Sequence, residues 1–348
     1  MSHFQAKNSN FAEDKPASMS QITADTIFRT AVSVGLPPHP IAVGDRNIFL
    51  GSCFAEHIGN RFAEARLLTT VNPLGVLYNP MSIVRLLSTP RSADDDFVRQ
   101  GGMWHSWLGD SSLSRLSTDE CRAATDEALA LLHEALAHAD NLFLTLGTSR
   151  YYTFRQRFQL VANCHRVPQS EFDEHELSTE EIVTSLDSVL SRLHGSNPRL
   201  QVVMTVSPYR YQKYGFHESQ LSKARLLLAV DALQRLHPEW ITYFPAYEIV
   251  LDELRDYRFY AEDMLHPSTQ AVDYIWSRLR DEWMSDEARA YLARWQPIGR
   301  SLQHRPLHPE SPDYAAFEQS LSDRLAQLQR DYPQLSIVSP DIISFDSK

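Results

Sequence analysis

Two short segments of the sequence carry side chains suited to covalent chemistry, and the first is Gly51-Ser52-Cys53. It follows the apolar run over 47–50 and precedes a stretch with helical spacing. Gly51 permits a sharp turn, and the next residues would face the unpaired amides of a helix N-terminus. That position lowers the pKa of a thiol and favours nucleophilic attack. The simpler interpretation, an N-cap serine beside a small buried cysteine, is favoured by the local sequence alone.

The second segment is Asp263-x-x-His266, which stands just before another helical stretch. A carboxylate three residues ahead of a histidine can orient the ring and stabilise its charged form. In that arrangement His266 is a general base and Asp263 is its anchor. The alternative is a capped helix entrance with a surface histidine, because the motif is weak by itself.

The surrounding pattern predicts the elements that would position these residues. Strand-like runs over 47–50, 141–146 and 200–206 alternate with helix-like stretches over 54–67, 118–137, 178–193, 218–236 and 270–283. Such alternation predicts a parallel sheet with helices on both faces and with its chemistry at the carboxyl edge. A two-stranded insertion is expected over 151–162.

Composition excludes several classes of protein. The chain has 348 residues, and 33 basic against 44 acidic residues give a net charge of −11, which argues against a general nucleic-acid binder. Its three cysteines form no disulfide framework, so a reducing, cytoplasmic compartment is expected. The N-terminus lacks the apolar core of a secretory signal, and no run approaches the roughly 20 apolar residues of a membrane span.

The two ends of the chain differ from its middle. Residues 1–25 are polar and predict a disordered leader, and residues 26–286 hold the α/β domain. Residues 287–348 predict a linker, rich in Pro and His over 296–312, and then one amphipathic helix over 314–330. That helix would pack on the core or mediate a dimer, and the oligomeric state stays open.

Together these motifs resemble the GSCFA family, a branch of the SGNH (GDSL-type) hydrolase superfamily. Gly51-Ser-Cys-Phe-Ala55 is the motif that names the family, and further similar stretches follow in order over 72–80, 144–149, 161–165, 205–208 and 247–276. The resemblance spans about residues 25–285. It implies a three-layer α/β/α sandwich, SGNH/flavodoxin-like, with about five parallel strands.

The resemblance also assigns catalytic roles. The SGNH nucleophile stands two positions after the glycine of the first block, which is Cys53 here, with Ser52 beside it as the alternative. The fourth block, Asp263-x-x-His266, matches without departure.

The expected oxyanion hole departs from the SGNH pattern. Gly75 corresponds to the glycine of the second block. The third block normally reads Gly-x-Asn, whereas here Gly147-Thr148-Ser149 stands in its place. Thr148, Ser149 or amides near Cys53 would have to replace the missing donor, whose loss can cost about a hundredfold in rate.

Other residues are candidates for contacting the substrate. They are Asn79, Asn163, His165, Arg210 and Lys223. Arg210 and Lys223 follow the strand over 200–206, where an anionic group of the substrate would bind. No metal site is expected, because the pair Cys164-His165 lacks further ligands at zinc spacing. The aromatic stretch over 104–107 would form a sugar-stacking wall or, more simply, pack in the core.

These expectations describe an esterase or an O-acyltransferase that forms a covalent intermediate. Its substrate would be a small-molecule or glycan acyl ester, with acetyl expected. No cofactor is expected, although a transferase would use a soluble thioester donor such as acetyl-CoA. The alternative is a non-catalytic glycan- or partner-binding module on a degenerate SGNH scaffold. The missing Gly-x-Asn favours that alternative, and the intact Asp-x-x-His opposes it.

Overall fold

Parallel strands with helices between them build the middle of the protein. The computed structural model describes residues 30–304, 306–308 and 310–337, and the predicted leader lies outside them. The strands of this part are β1 (Asn47–Gly51), β2 (Thr69–Val71), β3 (Phe97–Gln100), β4 (Met103–Ser106), β5 (Asn141–Leu146), β6 (Arg150–Phe154), β7 (Gln159–Val161), β8 (Phe172–Glu176), β9 (Gln201–Val206) and β10 (Ile241–Tyr243).

The central sheet has five parallel strands in the order β10-β9-β5-β1-β2. Counted along the chain within this sheet, the order is 2-1-3-4-5, which is the flavodoxin-like arrangement. Strand order reverses between β1 and β5, and in such sheets ligands bind beyond the carboxyl ends of the strands at this point. The predicted fold and strand number are confirmed.

Helices cover both faces of the sheet. Their bounds are α1 (Cys53–Glu64), α2 (Pro80–Ser88), α3 (Thr118–His138), α4 (Thr179–Ser196), α5 (Phe216–Leu236), α6 (Ala246–Glu248), a π-helical turn (Ile249–Leu254), α7 (Thr269–Trp283), α8 (Asp286–Leu302) and α9 (Pro312–Asp331). None of those in the described ranges is both long and apolar enough to cross a bilayer.

Side-chain alternation along β1 explains the three layers. Ile48 and Leu50 join an apolar cluster with α2, α3, α4 and α5, whereas Phe49 joins a second cluster with α1, α7, α8 and α9. Successive residues of a strand point to opposite faces, so a strand buried on both faces must be apolar throughout. On the second face Phe49 stacks on Phe143 with 4.3 Å between ring centroids.

A small antiparallel sheet is inserted after β5. β6 pairs with β7 as expected from the sequence, but it also pairs with β8, so the sheet has three strands. Trp107, Val161 and Phe172 form the apolar cluster beneath it. Trp107 is therefore a core residue, which agrees with the simpler of its two interpretations.

The C-terminal helices pack on the same core as α1 and α7. The predicted linker over 296–312 is a helix up to Leu302, because α8 continues through Pro297. Leu321, Leu325 and Leu328 of α9 are buried in the cluster that contains Phe49. The apolar face proposed for a dimer is thus occupied within the chain.

Candidate active site

The turn after β1 is held so tightly that only glycine fits at its start. Gly51 has a φ of +129°, and a Cβ there would stand 2.2 Å from the carbonyl oxygen of Thr145 on β5. The Gly51 amide donates to Oδ1 of Asn72, and the Gly51 carbonyl accepts from the amide of Leu77. The end of β1 is therefore tied to both neighbouring segments, which fixes where the next two residues point.

Ser52 and Cys53 occupy different environments in this turn. Ser52 is the N-cap of α1: its side-chain oxygen accepts from the Phe54 amide, its own amide donates to Thr145, and it is 1% exposed. Cys53 is the first helical residue and is part-exposed. The position of Ser52 is that of a structural cap, so the geometry favours Cys53 as the reactive group.

The expected lowering of the Cys53 pKa is wrong. Burial raises the pKa of the thiol above its ordinary value, and the amide of Phe54 and the charge of Lys223 offset this only in part. The helix N-terminus acts in the expected direction, but removal of the thiolate from water outweighs it. At neutral pH the group is mostly a thiol, so a nucleophilic Cys53 needs a base.

Asp263 and His266 form the expected pair. Asp263 Oδ2 lies 2.5 Å from His266 Nδ1, while Asp263 Oδ1 accepts from the His266 amide at 3.0 Å. These hydrogen bonds hold the pKa of Asp263 down to about 2. Because Nδ1 faces the carboxylate, Nε2 is left to exchange a proton, as an anchored general base requires.

Tyr209 lies near both this pair and Cys53. Its ring centroid is 4.3 Å from that of His266. Burial raises the pKa of Tyr209, and the nearby charges of Asp263 and Cys53 raise it further. The amide of Arg210 donates to the Leu265 carbonyl, which ties the turn after β9 to the loop of His266.

No hydrogen bond joins Cys53 to His266 in the described residues. The sequence predicted such a contact; in the structure Tyr209 contacts the His266 ring and is near Cys53. Burial lowers the pKa of His57, and the charges of Arg61 and His266 lower it further against the opposite effect of Glu56. The assignment of Cys53, His266 and Asp263 as a triad therefore stays a prediction.

The amides of the third block are already engaged. Those of Gly147 and Thr148 both donate to the Tyr78 carbonyl, and the Ser149 amide donates to Ser222 Oγ. The Ser149 hydroxyl is fully buried and also bonds to Ser222. The expectation that these groups form the oxyanion hole is not met by their hydrogen bonding.

Gly75 has a structural explanation as well. Its φ is +83°, and a Cβ there would stand 2.0 Å from the carboxyl carbon of Asp110. Its amide donates to the Asn72 carbonyl at 2.7 Å. The glycine is thus required by the turn, and its N–H is not free for an oxyanion.

Two cations lie behind the site. Lys223 is buried, and its ammonium group bonds to the carbonyl oxygens of Gly147 and Ser207, each at 2.7 Å. Arg210 is part-exposed and donates to Gln220 and to the Tyr247 hydroxyl. The substrate contact predicted for Arg210 stays a prediction, whereas Lys223 is buried away from solvent.

A family model described as "GSCFA family" matches residues 46–279, and one described as "GSCFA domain protein, C-terminal domain" matches residues 295–342. This chain belongs to the GSCFA family. The second match begins inside α8 and runs through α9, so both C-terminal helices carry family sequence.

Other comparisons of this GSCFA protein add little about activity. No curated protein matches it. An acetyl xylan esterase (Est2A) from the rumen bacterium Butyrivibrio proteoclasticus is similar at 12% identity and a TM-score of 0.29, over 72% of this chain and 66% of that one. A structure described as a platelet activating factor from Streptococcus pneumonia is similar at 19% identity and a TM-score of 0.27, over 43% of this chain and 65% of that one. The chain spans about two thirds of the length of each, and at these TM-scores neither carries an argument.

Three of the remaining candidates have structural roles in this GSCFA chain. The side-chain oxygen of Asn79 caps α2 through the Ser82 amide, and that of Asn163 accepts from the His165 amide. His165 is 4% exposed, lies 2.8 Å from the Ser106 carbonyl and stacks on His105. The expectation that His165 lines the substrate pocket is not met, because its ring is buried against His105, Ser106 and Trp107.

Sequence reasoning missed Tyr78 and Tyr209 at the site. Burial raises the pKa of Tyr78 to about 12, and Cys53 is the first charge that adds to this shift. Tyr78 lies inside the family stretch over 72–80 and Tyr209 directly follows the stretch over 205–208. The signal available was their place after strands of the sheet, since tyrosine alone is too common to point to a site.

A groove of about 760 Å³ lies elsewhere, between α1, α7 and α8. Its walls include Arg61, Trp276 and Arg300 and none of the candidate residues. A large cavity is the usual first hypothesis for a ligand site. No cysteine or histidine lines that groove, so Cys53 is kept as the candidate nucleophile.

Proposed function

We propose that this protein is an SGNH-type esterase or O-acyltransferase that uses Cys53 as its nucleophile. The observation that carries the proposal is the position of Cys53: a part-exposed thiol at the N-terminus of α1, where the strand order reverses, near Tyr209, whose ring also contacts His266. The distant likeness to an esterase fold is consistent with a hydrolase but adds no weight.

In the proposed reaction His266 takes the thiol proton and Asp263 stabilises the resulting imidazolium. The Cys53 thiolate attacks the acyl carbonyl, a C–S bond forms, and the bond from the acyl carbon to the donor (C–O in an ester, C–S in acetyl-CoA) breaks as His266 returns the proton to the leaving group. Water or an acceptor hydroxyl then attacks the acyl-enzyme thioester, its proton goes to His266, and the C–S bond to Cys53 breaks as His266 returns that proton to the sulfur. Because burial raises the pKa of Cys53, the first proton transfer is indispensable at neutral pH.

The first amides of α1 are the donors best placed for the oxyanion. In the described chain the Cys53 amide has no backbone acceptor, as expected for the first residue of a helix. A helix N-terminus favours negative charge through such amides and through its dipole. This assignment replaces the third-block donors, which bond within the protein.

The substrate class is proposed from the sequence resemblance. It is an acyl ester of a small molecule or a carbohydrate, with acetyl as the acyl group. A transferase would draw the acyl group from a soluble thioester such as acetyl-CoA. The three free cysteines support a reducing, cytoplasmic compartment.

The test is covalent trapping of the acyl group. Purified protein is mixed with p-nitrophenyl acetate and with acetyl-CoA and quenched in acid, and intact mass and peptide mapping locate any adduct. We expect one acetyl group on Cys53, released by neutral hydroxylamine as a thioester is. Cys53→Ala should abolish the adduct, and His266→Ala should slow its formation by at least a hundredfold.

Two variants control this experiment. Ser52→Ala should lose about 1 kcal/mol of stability as a missing N-cap yet keep the adduct. Cys164→Ala removes the other part-exposed thiol and should behave as wild type. An adduct that persists in Cys53→Ala and disappears in Ser52→Ala would overturn the choice of nucleophile.

The second candidate function is a non-catalytic module that binds a glycan or an acylated partner. The full internal hydrogen bonding of Gly147, Thr148 and Ser149 favours it, since an esterase keeps such donors free. Under this alternative no acetyl adduct forms at any residue, while an acetylated oligosaccharide array gives binding that Arg210→Ala weakens.

A further inference from the structure

Hydrogen bonding alone does not fix the orientation of the His266 ring. Asp263 Oδ2 lies 2.5 Å from Nδ1, and the side chains of His266 and Asp263 are 41% and 43% exposed. This contact decides which ring nitrogen faces the carboxylate. It does not set the tilt of the ring plane, because the terminal torsion of histidine is broad. A general base has to direct Nε2 at a proton within its reach, so a second contact to the ring bears on its use.

Tyr209 supplies a second contact. The centroid of its ring lies 4.3 Å from that of the His266 imidazole, with 39° between the two planes. Aromatic pairs have centroids about 4.5–7 Å apart, so this pair is packed at the close end of that range. It is also the only ring contact of His266 in the described part of the chain. The close packing leaves the imidazole no room to tilt further towards Tyr209.

The backbone ties together the two segments that carry these rings. The amide of Arg210 donates to the carbonyl of Leu265 at 2.9 Å. These two residues are the neighbours in sequence of Tyr209 and His266. The side-chain oxygen of Ser207 accepts from the Tyr209 amide at 3.4 Å, and the Ser207 amide donates to the last residue of β5 at 2.8 Å. The ring contact is therefore built on the carboxyl edge of the sheet.

Further aromatic rings pack against Tyr209. The ring centroid of Tyr211 is 6.0 Å from that of Tyr209, and the centroid of Tyr214 is 5.7 Å from that of Tyr211. All three side chains are part-buried. The Tyr209 hydroxyl forms no hydrogen bond among the described residues, so its contact with His266 is made by the ring.

We propose that Tyr209 is a positioning residue for His266: its ring packs against the imidazole and fixes the tilt at which Nε2 faces away from Asp263. The inference rests on the proposed function, which names His266 as the general base. The orientation of the ring can be measured without any reaction, so failure of this inference and failure of the proposed function are distinguishable.

The first test measures the chemical shifts of the histidine ring protons, Hδ2 and Hε1, by NMR of the full-length protein labelled at histidine. The ring current of a packed aromatic side chain shifts such resonances. We expect Tyr209→Leu to move the His266 resonances, which are assigned from their absence in His266→Asn. Tyr209→Phe should leave them close to their wild-type positions, because it keeps the ring and removes only the hydroxyl.

Tyr151 and His175 provide a matched control. Their rings are also stacked, with 4.8 Å between centroids, and they lie opposite each other in the inserted sheet. Tyr151→Leu should move the resonances of His175 and leave those of His266 unchanged, while Tyr209→Leu should have the opposite effect. Unmoved His175 resonances show in the same sample that Tyr209→Leu is folded. The inference is overturned if Tyr209→Leu leaves the His266 resonances where they are in wild type.

The second test follows the rate at which p-nitrophenyl acetate acetylates Cys53. A misdirected base slows the transfer and not the binding of substrate, so the rate at saturation should fall while the concentration for half-maximal rate stays the same. We expect Tyr209→Leu to be at least about tenfold slower than wild type and Tyr209→Phe to stay within about twofold of it.

Two results of the rate measurement would overturn the inference. Equal losses in Tyr209→Leu and Tyr209→Phe would assign the effect to the hydroxyl and not to the packing of the ring. A wild-type rate in Tyr209→Leu would show that His266 works without the contact. If wild type forms no acetyl adduct, the proposed function fails, and the NMR measurement alone decides whether Tyr209 orients His266.

Discussion

At the scale of single residues, Gly51 has no room for any side chain. Its positive φ and the 2.2 Å approach of the Thr145 carbonyl oxygen both exclude a Cβ. Gly51→Ala should therefore lower the free energy of unfolding by more than about 3 kcal/mol, because relief would break the pairing of β1 with β5. Urea denaturation followed by circular dichroism measures this.

Gly195 shows what a glycine-to-alanine substitution does at a position where a Cβ meets no steric obstacle. A Cβ at Gly195, in the last turn of α4, would meet nothing within 4 Å. Gly195→Ala should leave stability unchanged or raise it by about 0.5–1 kcal/mol. Equal denaturation midpoints for the two variants would contradict the role given to Gly51.

Cys53 shows which property of a site residue could be predicted from the sequence and which could not. The register of Gly51-Ser52-Cys53 placed the thiol correctly at the start of a helix, and helix N-termini lower thiol pKa values. The burial of Cys53 depends on the tertiary fold, and no local pattern predicts that distant residues such as Tyr78 and Tyr209 lie near it. The direction predicted for the pKa shift of Cys53 was wrong for that reason.

At the scale of elements, the loop after β7 places His165 in a buried position against β4. Burial lowers its pKa from the ordinary 6.5 to about 4, so as pH falls the unfolded chain takes up this proton before the folded protein does. Between about pH 6.5 and pH 4 the contribution of His165 to stability is therefore lost, by at most about 3 kcal/mol. Stability should fall with falling pH across this window.

Difference measurements isolate the contribution of His165, since other groups titrate in the same range. His165→Asn removes the titration and suits the left-handed backbone, with φ of +47°, at this position. Its free energy of unfolding should depend on pH less steeply than that of wild type between pH 4 and 6.5. Parallel curves for wild type and His165→Asn would show that His165 does not titrate as described.

Elements were predictable where their own sequence supplied the signal. β1, β5 and β9 are continuous apolar runs, and Ser178 and Ser117 open α4 and α3 with capping boxes. β2 and β8 were missed because one has three residues and the other alternates charged side chains at the surface. In α8 the buried Trp295 and Ile298 carry the helix past Pro297, which local propensity marks as a breaker.

At the scale of the whole molecule, the sheet and the C-terminal helices form one unit. The apolar cluster on the face of Phe49 extends from α1 through α7 and α8 to Leu328 and Leu335 beyond the predicted domain boundary at 286. Sequence patterns alone do not assign an amphipathic helix to its partner. The sequence left open whether α9 packs on the core or mediates a dimer, and only the tertiary contacts decide between the two.

One variant tests whether the sheet and the C-terminal helices unfold as one unit, with a cysteine on the other face of the sheet as the probe. Leu328 on α9 is 1% exposed, and Leu328→Ala should cost about 2–4 kcal/mol. Cys121 is fully buried on α3, across the sheet, so its alkylation requires global opening. If the molecule unfolds as one unit, Leu328→Ala should accelerate alkylation of Cys121 in mild urea by at least thirtyfold, because 1.4 kcal/mol corresponds to about tenfold.

Leu307→Ala, at a position 93% exposed, should change nothing. A wild-type rate at Cys121 in a Leu328→Ala variant whose α9 has loosened would instead make the C-terminal helices an independent appendage, as the predicted boundary implied.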